Sequence, residues 1–257
     1  MTRIVAVDIG NSYLHAQVFE TSDLARTPAD PMDADPPHRL HRALRAAELA
    51  SLPTDVGWFL ASVNRDRQEE LTAWLTARGS ESRAISRRDC PLAVALPAPV
   101  TAGVDRLVAA VAANHLRDPA TPAIVIDSGT ATTVDVVDRS GAFRGGAILA
   151  GAKIAAEALA QETDALPFLE APVSAPAAIG DTTVGAMASG AYWGALGAVR
   201  ELIQRLAEEL DEGSPEVFVT GGGAIWAGPL SARHVPDLTL QGVALVAAHL
   251  LQQDLQA

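Results

Sequence analysis

The sequence predicts an α/β fold built from two similar halves, residues 1–117 and 118–257. Three observations predict it. Short runs rich in Ile and Val alternate with longer amphipathic or apolar stretches along the whole chain, the order expected of sheets covered by helices. An Asp-x-Gly turn joins two strand-like runs once in each half, in RIVAVDIGNSYLHAQVFE (residues 3–20) and in AIVIDSGTATTVDVVD (residues 123–138). Finally, 49% of the chain is apolar but only 4% is aromatic, so any core must be mostly aliphatic.

Taken in order, the first half opens with the strand pair around Asp8 and Gly10. The prolines and acids of RTPADPMDADPPH (26–38) predict a surface loop. HRALRAAELA (41–50) reads as an amphipathic helix, on a solvated face of which His38 and His41 are expected, and VGWFLASVN (56–64) as a buried strand. DRQEELTAWLTARG (66–79) has acids at its start and Gly79 at its end, the punctuation of a helix. AVALPAPVTAGVDRLVAAVAANHLR (93–117) predicts a strand, a proline-rich turn and a helix opening at Gly103 or Val104.

The second half repeats the pattern. The strand to Asp127 returns through VDVVDRSGAFRGGAILAG, a hairpin turning at Ser140-Gly141. AKIAAEALAQET (152–163) is helical, ALPFLEAPVSAPAAIG (165–180) is loop, and residues 182–210 form a long helix rich in small residues. EVFVTGGGA (216–224) is a buried strand running into three glycines, and QGVALVAAHLLQQDLQ (241–256) is a closing helix.

Composition narrows the function. A net charge of −12 argues against nucleic-acid binding, which relies on Lys and Arg neutralising phosphates. Cys90 is the single cysteine, so an internal disulfide and a thiolate cluster are excluded; with no neighbouring base it reads as a small core or loop residue. No secretory leader and no membrane-spanning run is expected, which predicts a cytoplasmic protein with no membrane partner. The four tryptophans read as core or interface packing rather than a stacking platform.

Both Asp-x-Gly turns suit phosphate chemistry. Glycine lets the backbone approach a ligand, and successive amides at such a turn form an anion-binding concavity. Asn11, Ser12, Thr130, Thr132 and Thr133 add side-chain donors at the same tips. An acid there would repel phosphate unless a cation lies between, so Asp8 and Asp127 point to a cation-assisted site for phosphoryl transfer. GxxxxGK[ST] is absent, and no GxGxxG follows the first strand. Asp105 and Arg106 have two readings: a capping acid beside a surface arginine, or a general base beside a clamp for a substrate carboxylate. Their position at the head of an almost entirely apolar helix favours the second. Gly221, Gly222 and Gly223 read either as a tight turn or as a flat surface against a purine or ribose. Asp135 and Asp138 are candidates for lining the same site, Asp135 more than Asp138.

Together, DIGNS, PAPVTAGVDRLVAAVAA, IVIDSGTATTVDVVD, GAFRGGAILAG, IGDTTVGAMASGAYWG, VTGGGA and PDLTLQGVAL resemble the type III pantothenate kinases of the acetate kinase/sugar kinase/Hsp70/actin superfamily. The resemblance implies duplicated actin-like ATPase (ribonuclease H-like) lobes, each a mixed five-stranded sheet flanked by helices, with a cleft between them. It implies ATP-dependent phosphorylation of pantothenate to 4′-phosphopantothenate, the first step of coenzyme A synthesis, with Mg2+ on the ATP and a monovalent cation, K+ or NH4+. By position it makes Asp105 the catalytic base and Asp127 the cation ligand. Gly103, Val104, Arg106 and Thr183 are then substrate-binding. Asp8, Ile9, Gly10, Asn11, Ser12, Tyr13, Leu14 and His15 form a first ATP segment, and Thr130, Thr132, Gly221 and Gly222 further ATP contacts. It also implies a homodimer. Leu96 stands where many members have a substrate-contacting tyrosine, and Asp181 where a lysine is common. These departures keep open a kinase for another small alcohol, or a weakly active regulatory binding protein.

Overall fold

The computed structural model describes residues 3–21, 38–41, 49–98 and 101–256. The chain divides into two compact units, Met1–Arg117 with Asp237–Ala257, and Asp118–Pro236. The sequence reading divides the chain into 1–117 and 118–257. The final helix differs: the sequence reading assigns it to the second half, whereas it packs in the first unit.

In the first unit the strands are β1 (Arg3–Ile9), β2 (Tyr13–Glu20), β3 (His38–His41), β4 (Gly57–Ser62) and β5 (Ser82–Ala84), in the order β3-β2-β1-β4-β5. β1 runs antiparallel to β2, pairing Asp8 with His15, and parallel to β4. Strand alternation puts Val5, Val7 and Ile9 on one face, where they join Leu14, Trp58, Leu60 and the Leu71 and Leu75 side chains of helix α1 (Arg65–Ala77). Ile4 and Ala6 are as deeply buried on the other face, so β1 is covered on both sides. Helix α1 starts where the Asn64 side chain accepts a hydrogen bond from the Arg67 amide, and ends before Gly79 at φ 73°.

Helix α2 (Val104–Leu116) is buried from Leu107 to Ala113. Its neighbour is the closing helix α6 (Leu238–Asp254), and the contact is tight: a Cβ on Gly242 would lie 1.8 Å from the Val108 carbonyl oxygen. Only glycine permits that approach.

The second unit repeats the plan with β6 (Ala123–Ser128), β7 (Ala131–Val137), β8 (Phe143–Ala150), β9 (Glu216–Gly221) and β10 (Arg233–His234), in the order β10-β9-β6-β7-β8. Written by rank within each unit, both sheets are 3-2-1-4-5, with antiparallel pairs on one side of the first strand and parallel pairs on the other. Ile124, Ile126, Val134, Val136 and Val219 pack on Tyr192, Leu196 and Val199. Those three come from one long helical stretch, α4 (Thr183–Ser189), a π-helical turn (Gly190–Gly194) and α5 (Ala195–Leu210). Helix α3 (Ala152–Gln161) follows β8.

Several expectations are revised. Residues 93–96 form no strand, only an isolated bridge at Val94. His38 and His41 bound strand β3 rather than a helix. Most of the expected loop 26–38 and helix 41–50 lies outside the described residues. Asp138 is held within its own turn: its carboxylate accepts from Ser140 Oγ at 2.6 Å, Ala142 N at 2.9 Å and Arg144 at 3.3 Å, closing the β7–β8 hairpin. Burial works against its charge, but these three donors outweigh it and hold the acid below its ordinary range. Cys90 is buried and its thiol is pushed up to about 12, which makes it inert.

Candidate active site

In the first unit the Asp8–His15 segment is the β1–β2 turn. Gly10 N donates to Tyr13 O at 3.0 Å, and the Tyr13 and His15 rings stack at 6.1 Å. Asp8 is half-buried and has the strand parity of Ile4 and Ala6. Ile9 and Leu14 are core residues, so their part in any phosphate site is restricted to their backbone. The turn is held from behind by Arg67, whose guanidinium donates to Gly10 O at 2.8 Å. Nothing in the sequence links those residues, which lie on different elements.

The second chemical element of this unit is the start of α2. Gly103 is the N-cap, with φ −62° and ψ 140°, and the Asp105 carboxylate folds back to accept the Arg106 amide at 2.8 Å. The carboxylate sits so close to the cap that a Cβ on Gly103 would be 2.4 Å from Asp105 Oδ1. Burial raises the acid above its ordinary value of 3.8, against the opposing pull of the Arg106 amide and charge. Such a carboxylate is a stronger base than an exposed one, and it is held in one place. Val104 is buried, which leaves Asp105 and Arg106 as the half-open side chains of the first turn.

In the second unit Asp127 and Gly221 meet where β6 and β9 end, with Ser128 paired to Gly221 and Gly222 following it, while Thr130 stands in the turn after β6. Register pairs Asp127 with Thr133 on β7 and with Thr220 on β9. Gly221 adopts φ 67°, and a Cβ there would lie 2.7 Å from Ser128 O and 2.9 Å from Asp127 Oδ1. The Gly129–Thr130 turn is backed by Gly151, whose amide donates to Thr130 O at 3.2 Å. Thr132 is set apart from this group: it shares the parity of Val134 on the core face and is 4% exposed, whereas Thr133 lies beside Asp127. Asp135 is also buried, at 2%. Thr183 is exposed in the first turn of α4, after Thr182, whose side chain caps Gly185 N at 3.0 Å.

The oxygens nearest Gly221 and Gly222 are the Asp127 carboxylate, the Ser128 carbonyl and the Ser128 hydroxyl. Among the described residues no group of three or more His, Cys, Asp or Glu could hold a metal ion. An all-oxygen set with one formal charge fits a weakly held monovalent cation and does not fit zinc or a similar ion.

Two units with one strand order, each carrying an acid at the end of its first strand before a glycine turn, define an actin-like ATPase fold. A solved relative of this fold is the activator of the 2-hydroxyisocaproyl-CoA dehydratase from Clostridium difficile, at TM-score 0.50 and 12% identity over 99% of this chain and 97% of that one. The family model for type III pantothenate kinase matches residues 4–205, and the chain belongs to that family. A type III pantothenate kinase from Thermus thermophilus is 36% identical over 249 residues, 93% of this chain and 96% of the relative. One from Rubrobacter xylanophilus is 44% identical over 161 residues, a match spanning 58% of this chain and 59% of the relative.

Proposed function

We propose that this protein phosphorylates pantothenate with ATP, giving 4′-phosphopantothenate and ADP. The observation that carries this is the family match across residues 4–205, which contains Asp105 seated at the head of a buried helix. Asp105 takes the proton from the pantothenate hydroxyl as its oxygen attacks the γ-phosphorus. The bond to the β–γ bridging oxygen breaks, ADP leaves, and the proton is afterwards lost from Asp105 to water. A positioned base of this kind contributes about 10²–10⁴-fold. The remainder comes from holding ATP and alcohol in line.

Arg106 binds the substrate carboxylate, and Gly103, Val104 and Thr183 complete the pantothenate contacts. The Asp8–His15 turn contributes amides and the Asn11 and Ser12 side chains to ATP. Thr130, with Gly221 and Gly222, provides the second set. Thr133 is a better ATP-side donor than Thr132, because it lies on the Asp127 side of the sheet. Asp127 holds the monovalent cation. Magnesium, carried on ATP, supplies charge neutralisation at the phosphates.

The protein acts as a cytoplasmic homodimer in this reading. Support comes from the second unit, where Ile148 at 63%, Phe168 at 50% and Trp193 at 40% exposure leave apolar surface. No helix among the described residues is long and apolar enough to cross a membrane.

Leu96 and the exposed Asp181 favour a second reading, a kinase for a different small alcohol. Retention of Asp8, Asp105 and Asp127 counts against a purely regulatory role. The test is ATP turnover with pantothenate and with other small alcohols, with and without potassium. Potassium-dependent turnover on pantothenate that Asp105→Asn abolishes supports the proposal; faster turnover on another alcohol supports the second reading.

A further inference from the structure

We propose that Arg87 is a positioning residue for the Asp105 carboxylate, acting by fixing the Ala102–Gly103 peptide against which that carboxylate is seated. The inference rests on the assignment of Asp105 as the base. It begins at the edge of the first sheet. Ile85, buried just after β5, donates its amide to Leu60 O at 2.8 Å and so ties the chain to β4. The following turn, residues 86–89, is closed on itself: the Asp89 carboxylate accepts from both the amide and the hydroxyl of Ser86, at 2.7 and 2.6 Å. Arg87 therefore leaves a rigid turn anchored to the sheet.

Its Nε–H donates to the carbonyl of Ala102. Ala102 is buried, and the next residue is Gly103, the cap of α2. The cap and the base are in direct contact, as the 2.4 Å approach of a Cβ on Gly103 to Asp105 Oδ1 shows. A shift of the 102–103 peptide is thus transmitted to the carboxylate without any other residue between. The far side of α2 cannot absorb such a shift, because Gly242 of α6 lies against Val108. The helix is fixed at its back by α6 and at its start by Arg87. A guanidinium suits the task, because its planar fork directs the Nε–H where a flexible ammonium would not.

The experiment compares the full chain as wild type, Arg87→Ala, Arg87→Lys and Asp105→Asn, measuring kcat and both KM values across the acid limb of the pH profile. Arg87→Ala is expected to lower kcat by roughly 10- to 100-fold, the cost of a misplacement near 1 Å, with KM for ATP unchanged. The acid limb of kcat/KM should move to lower pH, because a loosened carboxylate is better hydrated; Arg106 is the charge that faces it. Added ethylguanidinium should restore part of the kcat of Arg87→Ala and none of that of Asp105→Asn. If Arg87→Ala does not fold, Arg87→Lys is read instead, since it keeps the aliphatic stem and charge but lacks the Nε–H; lowered kcat with unchanged KM for ATP supports the proposal. Wild-type kcat and an unmoved limb in a folded Arg87 variant, beside an inactive Asp105→Asn, overturn the role of Arg87 and leave the base assignment standing. Wild-type turnover by Asp105→Asn overturns both.

Discussion

Gly103→Ala isolates the position of the proposed base. At φ −62° and ψ 140° alanine is conformationally at ease, so the substitution introduces no backbone strain. What it introduces is a methyl group 2.4 Å from Asp105 Oδ1, where ordinary contact begins at 3.4 Å. The carboxylate must retreat by about 1 Å, the difference between those two distances. Misplacement on that scale costs about 100-fold in rate, or ~2.7 kcal/mol of transition-state stabilisation. Loss of a favourable N-cap residue costs stability on the order of 0.5–1 kcal/mol. In a chain of this size that lowers the Tm by roughly 1–4 °C, too little to explain a hundredfold loss. ADP release in a coupled assay gives kcat and KM, and a thermal melt run in parallel gives Tm. A folded Gly103→Ala protein with kcat within about twofold of wild type would refute the reasoning: either the carboxylate has room to move freely or its position is irrelevant to turnover.

Other outcomes follow from the same geometry. Burial raises Asp105, so the folded state binds its proton more tightly than the unfolded chain does. Its stabilising contribution is full below the ordinary value of 3.8 and is lost as pH rises through the raised folded value. Asp105→Asn should therefore melt higher than wild type at neutral pH, an advantage that shrinks as pH falls toward the ordinary carboxylate range; a melt lowered at neutral pH contradicts this. Gly221→Ala forces a side chain into φ 67° and toward Ser128 O and Asp127 Oδ1, at a cost of about 1–3 kcal/mol. It should raise KM for ATP and blunt potassium activation, which a potassium titration of turnover reads directly. Gly242→Ala drives a methyl into the Val108 backbone and should destabilise the protein by about 2–3 kcal/mol in denaturant unfolding, with a change below 0.5 kcal/mol counting against the helix contact.

Much of this architecture is legible in the sequence where the determinants are local. The strand pairs around Asp8 and Asp127 show alternation up to a glycine turn, and both form as expected. Gly79 and Gly141 stand at positive φ where a helix end and a hairpin turn were expected, and α2 opens at Val104 after its glycine cap. What stays hidden depends on partners far along the chain. β5 and β10 are three and two residues long and exist because Leu60 and Val219 offer them a neighbouring strand edge, not because SRA or RH favours extension. The return of the closing helix to the first unit depends on Gly242 meeting Val108, which no local pattern announces.

The candidate site divides in the same way. The candidate residues at turn tips, Asp8, Asp105, Asp127 and Thr130, are recognisable because acids and hydroxyls beside glycine are unusual at strand ends and buried helix starts. The residues that hold those tips, Arg67 on Gly10, Arg87 on Ala102 and Gly151 on Thr130, touch backbone atoms of remote segments and leave no local signature. Thr132 and Thr133 show the limit from another side. Both read as donors, and only sheet parity separates the buried one from the one beside Asp127.

The most direct measurement is pantothenate-dependent ADP formation by the purified protein in potassium buffer, wild type beside Asp105→Asn. Turnover by the wild type that requires both pantothenate and potassium, and that falls by at least about 100-fold in the variant, is the predicted result. ADP formation indifferent to pantothenate, or carried on at the wild-type rate by Asp105→Asn, contradicts the account.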